Sequence, residues 1–470
     1  MNKTKYIIIS LFALAISTTA MAQAVGEKFK FQTNYYLVTS LDPPTVAVTC
    51  QLSSHPYWEY SEEPYGEVVI RSSVTYKNTV FTVTAIGNYA FHGCSRITSI
   101  LIPESVTSIG GFVFIDCSGL TSITFPDSVN FIGGYAFGYC TSLTSVVIPK
   151  LVTSIEGYTF FECSGLTSAT LLGSVTSIQN CAFAECTNLS SINIPNSVTS
   201  IGEFAFSKCI NLTSVTIPES VTSIGYGAFS SCRSLTSVTI PASLTSIGGG
   251  VFSYCISLTS IVIPESITLI GGGAFSNCTS LKSVTIPKSV RTISGAAFAY
   301  CTSLTSITLP ASVKFLGGGT FGYCTGLTSI ITHIEDPRSV TLEPDVFDGV
   351  PKGTDANACA LYVPEGSFSL YQNAWQWKDF LPNMFVGIED TPQTSIVIYP
   401  NPASDLLNIK SDTPIYGFEL YDALGRLVLS KTEMFNNESV IDVSSLTRGL
   451  YFIKLHTINS VAEHKVLIEN

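Results

Sequence analysis

Eleven cysteines recur at one interval: Cys94, Cys117, Cys140, Cys163, Cys186, Cys209, Cys232, Cys255, Cys278, Cys301 and Cys324 are each 23 residues apart. Thiols so regular could ligate metal, pair as disulfides or fill a buried column. Structural zinc uses Cys-x2–4-Cys pairs, which an interval of 23 does not supply. An odd number excludes complete pairing within the column. A phenylalanine stands three residues before each cysteine, from Phe91 to Phe321, and a leucine three after, with Ile97 the one substitute. In such company a small buried apolar thiol is the expectation, with neither metal nor cofactor. Cys50 and Cys359 flank the series and cannot reach each other, since eleven turns at about 4.8 Å separate them by roughly 50 Å. Cys181 lies at a variable corner and is expected to be the accessible thiol.

The hydroxyl-bearing residues form a second series. Serine always follows each repeat cysteine by five, and threonine usually by seven. The candidate ligand-binding pairs are Ser122 and Thr124, Ser168 and Thr170, Ser214 and Thr216, Ser237 and Thr239, Ser283 and Thr285, and Ser306 and Thr308. Leu101, Val147, Asn193, Val262 and Ile331 interrupt the threonine column. Two readings stand: a solvated β surface that favours threonine, or a nearly neutral platform that grips a partner through many weak contacts.

Catalytic chemistry finds no foothold. The five histidines His55, His92, His333, His456 and His464 lie in no nucleophile or metal motif. The repeat carboxylates scatter over variable positions, so no facing pair can be drawn. Gly248–Gly250 and Gly271–Gly273 lack the strand–helix setting of a phosphate loop.

These columns require elements that repeat. In Leu212–Cys232, Val215 and Ile217 alternate with Ser214 and Thr216, the pattern of a half-buried strand. Pro218 ends it by withholding a ladder donor. Val221 and Ile224 give a second inward pair, and Gly225 a tight corner. Ala228, Phe229 and Cys232, at i, i+1 and i+4, predict a short helical turn. One such unit has too little apolar surface to fold alone; stacking on its neighbours buries it.

These units, through Leu-x-x-Ile/Val-x-Ile-Pro, Val-x-x-Ile-Gly and Ala-Phe-x-x-Cys over residues 86–333, resemble the BspA-like class of leucine-rich repeats of bacterial surface proteins. The resemblance implies a mainly β chain: a curved right-handed solenoid with a parallel sheet on its concave side. Residues 23–85 resemble the β cap that opens such arrays, and 334–387 the cap that closes them.

The two ends read as addresses. Lys3 and Lys5, an apolar run from Tyr6 to Ile16, and Ala20-Met21-Ala22 form a secretory signal peptide over residues 1–22. Residues 394–470, after a linker at 388–393, show short alternating strands between turns, the pattern of a small Ig-like β-sandwich. This stretch resembles the type A sorting domain of the type IX secretion system of Bacteroidota. The matching positions are Tyr399, Pro400, Asn401, Pro402, Gly425, Arg426, Leu446, Gly449, Leu450, Tyr451, and Lys465 to Ile468. The resemblance implies engagement of the secretion machinery, removal of the domain, and anchoring to lipopolysaccharide or release.

Composition narrows the partners. The chain has 470 residues, 23 basic against 34 acidic, and a net charge of −11, so no positive field exists to hold nucleic acid. The repeats themselves are nearly neutral, with 8 basic and 9 acidic residues over 94–333, against 3 and 10 over 334–393. No later stretch is apolar enough to span a bilayer. The leading expectation is a non-catalytic adhesin or protein-binding scaffold that meets host or matrix proteins or neighbouring cells. Self-association into a structural coat or biofilm is the alternative, ahead of an exported hydrolase and an ice-binding surface.

Overall fold

A computed structural model of the chain describes residues 25–50, 58, 63–353, 358–386, 397–400, 403–422, 426–457 and 461–469. The proposed signal peptide and the 388–393 linker lie outside the described residues. The chain divides between Val386 and Gly387 into two compact units.

In the first unit each coil lays down two strands. Ser214–Thr216 is exposed–buried–exposed, with Val215 turned inward. It pairs in parallel with Ser237–Thr239, residue for residue 23 positions on. The Pro218 carbonyl then accepts from Val221 N at 3.0 Å, closing a turn. Ser223–Ile224 follows and pairs in parallel with Ser200–Ile201. Because the coils repeat this path, the two strands recur as two parallel ladders, the first interrupted after Thr124, Asn193 and Thr239 and the second after Ile132 and Ile224, and the fold is the expected mainly β solenoid.

The remaining side of the coil corrects one expectation: it is a chain of tight turns, not a helical one. Ala228 N donates to Gly225 O at 3.3 Å, Cys232 N to Phe229 O at 3.3 Å and Leu235 N to Cys232 O at 3.1 Å. Between them, Gly227 and Ser231 both have φ of +61°. A left-handed residue every few positions stops a right-handed helix from continuing. The same column holds Tyr89, Phe112, Tyr135, Tyr158, Cys181 and Phe204 at φ of 54–61°.

The core is a column of rings. Phenylalanines from Phe91 to Phe321 are fully buried or within 1% of it, and successive rings stack with centroids 5.2–5.8 Å apart. Trp58 stacks over Phe91 at one end, and its indole donates to Ala90 O. At the other end Phe321 meets Phe347 at 5.9 Å, and Phe347 meets Trp377 at 4.9 Å. Stacking therefore continues through one more coil, in which Val350 takes the cysteine's place. Strands Ala360–Val363 and Met384–Val386 extend the first ladder by two further rungs.

The second unit is a five-stranded antiparallel sheet apart from one bridge, consistent with the expected small sandwich. Its core gathers Leu407, Ile409, Phe418, Leu420, Ile453, Leu455 and Val466.

Candidate functional site

The thiol column is built into the coil-to-coil contacts. From Cys117 to Cys324 each Sγ–H donates to the carbonyl of the phenylalanine 26 residues earlier, at 3.0–3.3 Å. All eleven are free and fully buried, and Cys181 is half-buried. Burial pushes the thiols of Cys163, Cys209 and Cys278 up to about 12, so they stay protonated and unreactive. Among the described residues no cluster of histidine, cysteine and carboxylate side chains could hold a metal ion.

The Ser-x-Thr series lies where alternation places it. Ser122, Thr124, Ser168, Thr170, Ser214, Thr216, Ser237, Thr239, Ser283 and Thr285 are exposed; Ser306 and Thr308 are half-buried. Serine faces serine across rungs, as in Ser145 with Ser168 and Ser283 with Ser260, and Thr216 faces Thr239. The face also carries apolar side chains where threonine fails: Leu101 is 56% exposed, Val147 52% and Val262 79%. Not every hydroxyl is spare. Threonines one residue before the serine column are exposed but bond to the preceding coil, as when Thr167 Oγ1 donates to Thr144 O at 2.9 Å. A third hydroxyl column does the same, Ser220 Oγ donating to Val198 O at 2.6 Å.

Sequence reasoning missed a groove over the second ladder. Its volume is about 590 Å³, and Tyr158, Ser177, Gln179, Asn180, Ser200, Glu203 and Ser223 line it. The signal was present as five serines in successive coils, Ser154, Ser177, Ser200, Ser223 and Ser246, but two-residue strands are too short to display alternation. Tyr158 ends a stack of exposed-side rings, lying 4.4 Å from Tyr135. The next place in that column is Cys181, whose thiol, with burial adding to it, pushes the Tyr158 hydroxyl up to about 12.

In the second unit the sorting-signal positions divide. Tyr399 is about half exposed and closes the strand Val397–Tyr399, followed by a cis bond to Pro400. Arg426 clasps Asp422, its NH2 at 2.7 Å and its backbone N at 3.0 Å. Gly449 opens the strand Gly449–Thr457, and the buried Tyr451 donates its hydroxyl to Thr447 O at 2.9 Å. Lys465 is exposed in the last strand, opposite Phe452. A groove of about 420 Å³ brings Arg426, Leu446, Gly449, Leu450 and Tyr451 together. Asn401, Pro402 and Gly425 lie outside the described residues.

Comparison with known proteins agrees with this architecture. Residues 71–190, 153–276 and 245–348 match the model of the BspA type leucine rich repeat region, in six copies. Residues 397–469 match the secretion system C-terminal sorting domain. A leucine-rich repeat protein from Bacteroides ovatus is 28% identical, covering 76% of this chain and 99% of its own, at a TM-score of 0.52. A leucine rich cell surface protein from Faecalibacterium prausnitzii is also 28% identical, over 60% of this chain and 94% of its own, at 0.32. The pneumococcal vaccine antigen PcpA is 18% identical over 78% of this chain and 99% of its own, at 0.45. No curated protein sequence matches the chain. No helix among the described residues is long and apolar enough to cross a membrane. With its stacked 23-residue coils and its terminal type IX sorting domain, the chain belongs to the BspA-type leucine-rich repeat family and is exported to the cell surface or beyond it.

Proposed function

We propose that this is a non-catalytic adhesin or binding scaffold that uses the Ser-x-Thr face of the solenoid to hold extracellular, host or matrix proteins, or the surfaces of neighbouring cells. The observation that carries the reading is the composition of that face. In-register hydroxyls give a neutral surface that costs less to desolvate than a charged one, and Leu101, Val147 and Val262 stand out from it as isolated apolar anchors. Interfaces draw most of their affinity from a few residues amid near-neutral contacts, and on this face these three side chains offer the apolar area to bury. The array's near balance of charge removes long-range steering, so recognition falls to shape and to these anchors.

The test is capture of immobilised extracellular-matrix proteins by the mature chain, compared with a triple variant Leu101→Asp, Val147→Asp and Val262→Asp. The variant is expected to lose binding by about ten-fold or more while melting as the parent does. Equal capture by both, or capture by neither, would remove the face from consideration.

A further inference from the structure

We propose that the groove over the second ladder is a binding site for a neutral oligosaccharide. It rests on the reading of the array as a binding scaffold but lies on a different ladder from the Ser-x-Thr face.

At about 590 Å³ the groove falls within the range of roughly 300–1,000 Å³ of small-ligand sites. It runs across four coils, about 14 Å at 4.8 Å per rung, which fits an extended chain of sugars better than a single one. Among the described residues no lysine or arginine lines it, so an anionic ligand would be left without a counter-charge. Its surface is about equally polar and apolar: hydroxyls, two amides and one carboxylate are set among Ile178, Ile201 and Ile224, with the Tyr158 ring at one edge; these complement the closely spaced donors and acceptors of a sugar and its apolar C–H faces.

The polar groups are held in place by the coils. Gln179 Nε2 donates to Ser154 Oγ at 3.0 Å, which leaves Gln179 Oε1 to accept from a ligand. Asn180 Oδ1 accepts from Glu203 N at 2.9 Å, which leaves Asn180 Nδ2 to donate. Amides fixed in this way lose little freedom when a ligand arrives.

The repeat departs from its own pattern at this point. The corner position of Gln179 is glycine in most coils, where a Cβ would press on the backbone before it; at Gly271 it would lie 2.6 Å from Gly249 N. The serine run of the second ladder is also bounded, by exposed Phe131 at 47% on one side and Leu269 at 37% on the other. Breaks in a local rule that cluster on one surface are a mark of function.

The experiment is calorimetric titration of the full mature chain with cellotetraose, maltotetraose and chitotetraose, and with a heparin tetrasaccharide as the anionic counterpart. Saturable binding of at least one neutral sugar is expected, with none of heparin. The double variant Gln179→Ala with Glu203→Ala should weaken it about ten-fold or more, and Glu219→Gln, exposed and outside the groove, should leave it unchanged. If the double variant melts early, Ser223→Arg, which places a large side chain at an exposed lining position, must abolish binding in its stead. Failure of all three neutral sugars, preference for heparin, or undiminished binding in the groove variants overturns the inference. Protein capture is read on the unmodified chain: capture without sugar binding sinks the groove alone, and sugar binding without capture sinks the Ser-x-Thr face alone.

Discussion

Replacing Phe206 with alanine tests whether the coils are held together as the ring column implies. The Phe206 side chain is fully buried and lies between Phe183, at 5.5 Å and 1°, and Phe229, at 5.2 Å and 7°. A buried Phe→Ala change costs about 3–5 kcal/mol. Two lost ring contacts of about 0.5–1.5 kcal/mol each account for a sizeable part of that sum, so the upper half of the range is expected. Since each coil touches only its neighbours, the damage should stay local. The assay is hydrogen exchange read coil by coil, together with urea unfolding followed through Trp58, Trp375 and Trp377, the chain's three tryptophans, which flank the cysteine-bearing coils on either side. Protection should fall in the coils around residues 183–229 and persist near both ends, and the tryptophans on the two sides should cease to respond together. A loss below about 1 kcal/mol, the ordinary cost of any substitution, or an even loss of protection along the array, would refute the column as the source of cohesion.

Four further outcomes follow from the coordinates. Ellman's reagent should titrate one thiol, Cys181, in the native chain and all 14 after denaturation; early reaction of a column thiol would contradict its burial. The protonated column thiols resist ionisation when folded and lose their protons freely when unfolded. Their contribution is therefore intact below the ordinary value of 9.0 and is lost as the pH rises toward about 12; a urea midpoint that stays flat across that window would exclude it. Gly271→Ala should cost about 1–3 kcal/mol, because the new Cβ meets backbone that cannot move aside, whereas Gly319→Asn, at φ +64° with open space around it, should be close to neutral by thermal melt. Deleting residues 394–470 should leave the chain in the periplasm, as read by blotting of cell fractions; its appearance at the surface would show that the sorting domain is dispensable.

The solenoid was legible because its inward residues repeat without a slip. Phe91 to Phe321 and Cys94 to Cys324 fix the coil length, and alternation about Val215 fixes which hydroxyls face water. The coil of Phe347 was hidden because Val350 replaces the marker thiol and the spacing from Phe321 stretches to 26 residues. The turn at Ala228–Cys232 was misread because apolar residues at i, i+1 and i+4 suit a helix and a run of tight turns equally. Only the backbone reveals the left-handed residues, and tyrosine, lysine and glutamate occupy them as freely as glycine does. The Ser-x-Thr face followed from periodicity, but the groove did not: its amides sit where the pattern lapses, and a lapse carries no period.

From Cys117 to Cys324 the bond from each column thiol to the carbonyl 26 residues before it makes the junctions between those coils the same junction. A gene that duplicates or drops one 23-residue unit therefore creates no new kind of seam and leaves none unmatched. The reach of this molecule is a quantity that slippage during replication can lengthen or shorten in whole steps, while both end-pieces and the exported address stay untouched.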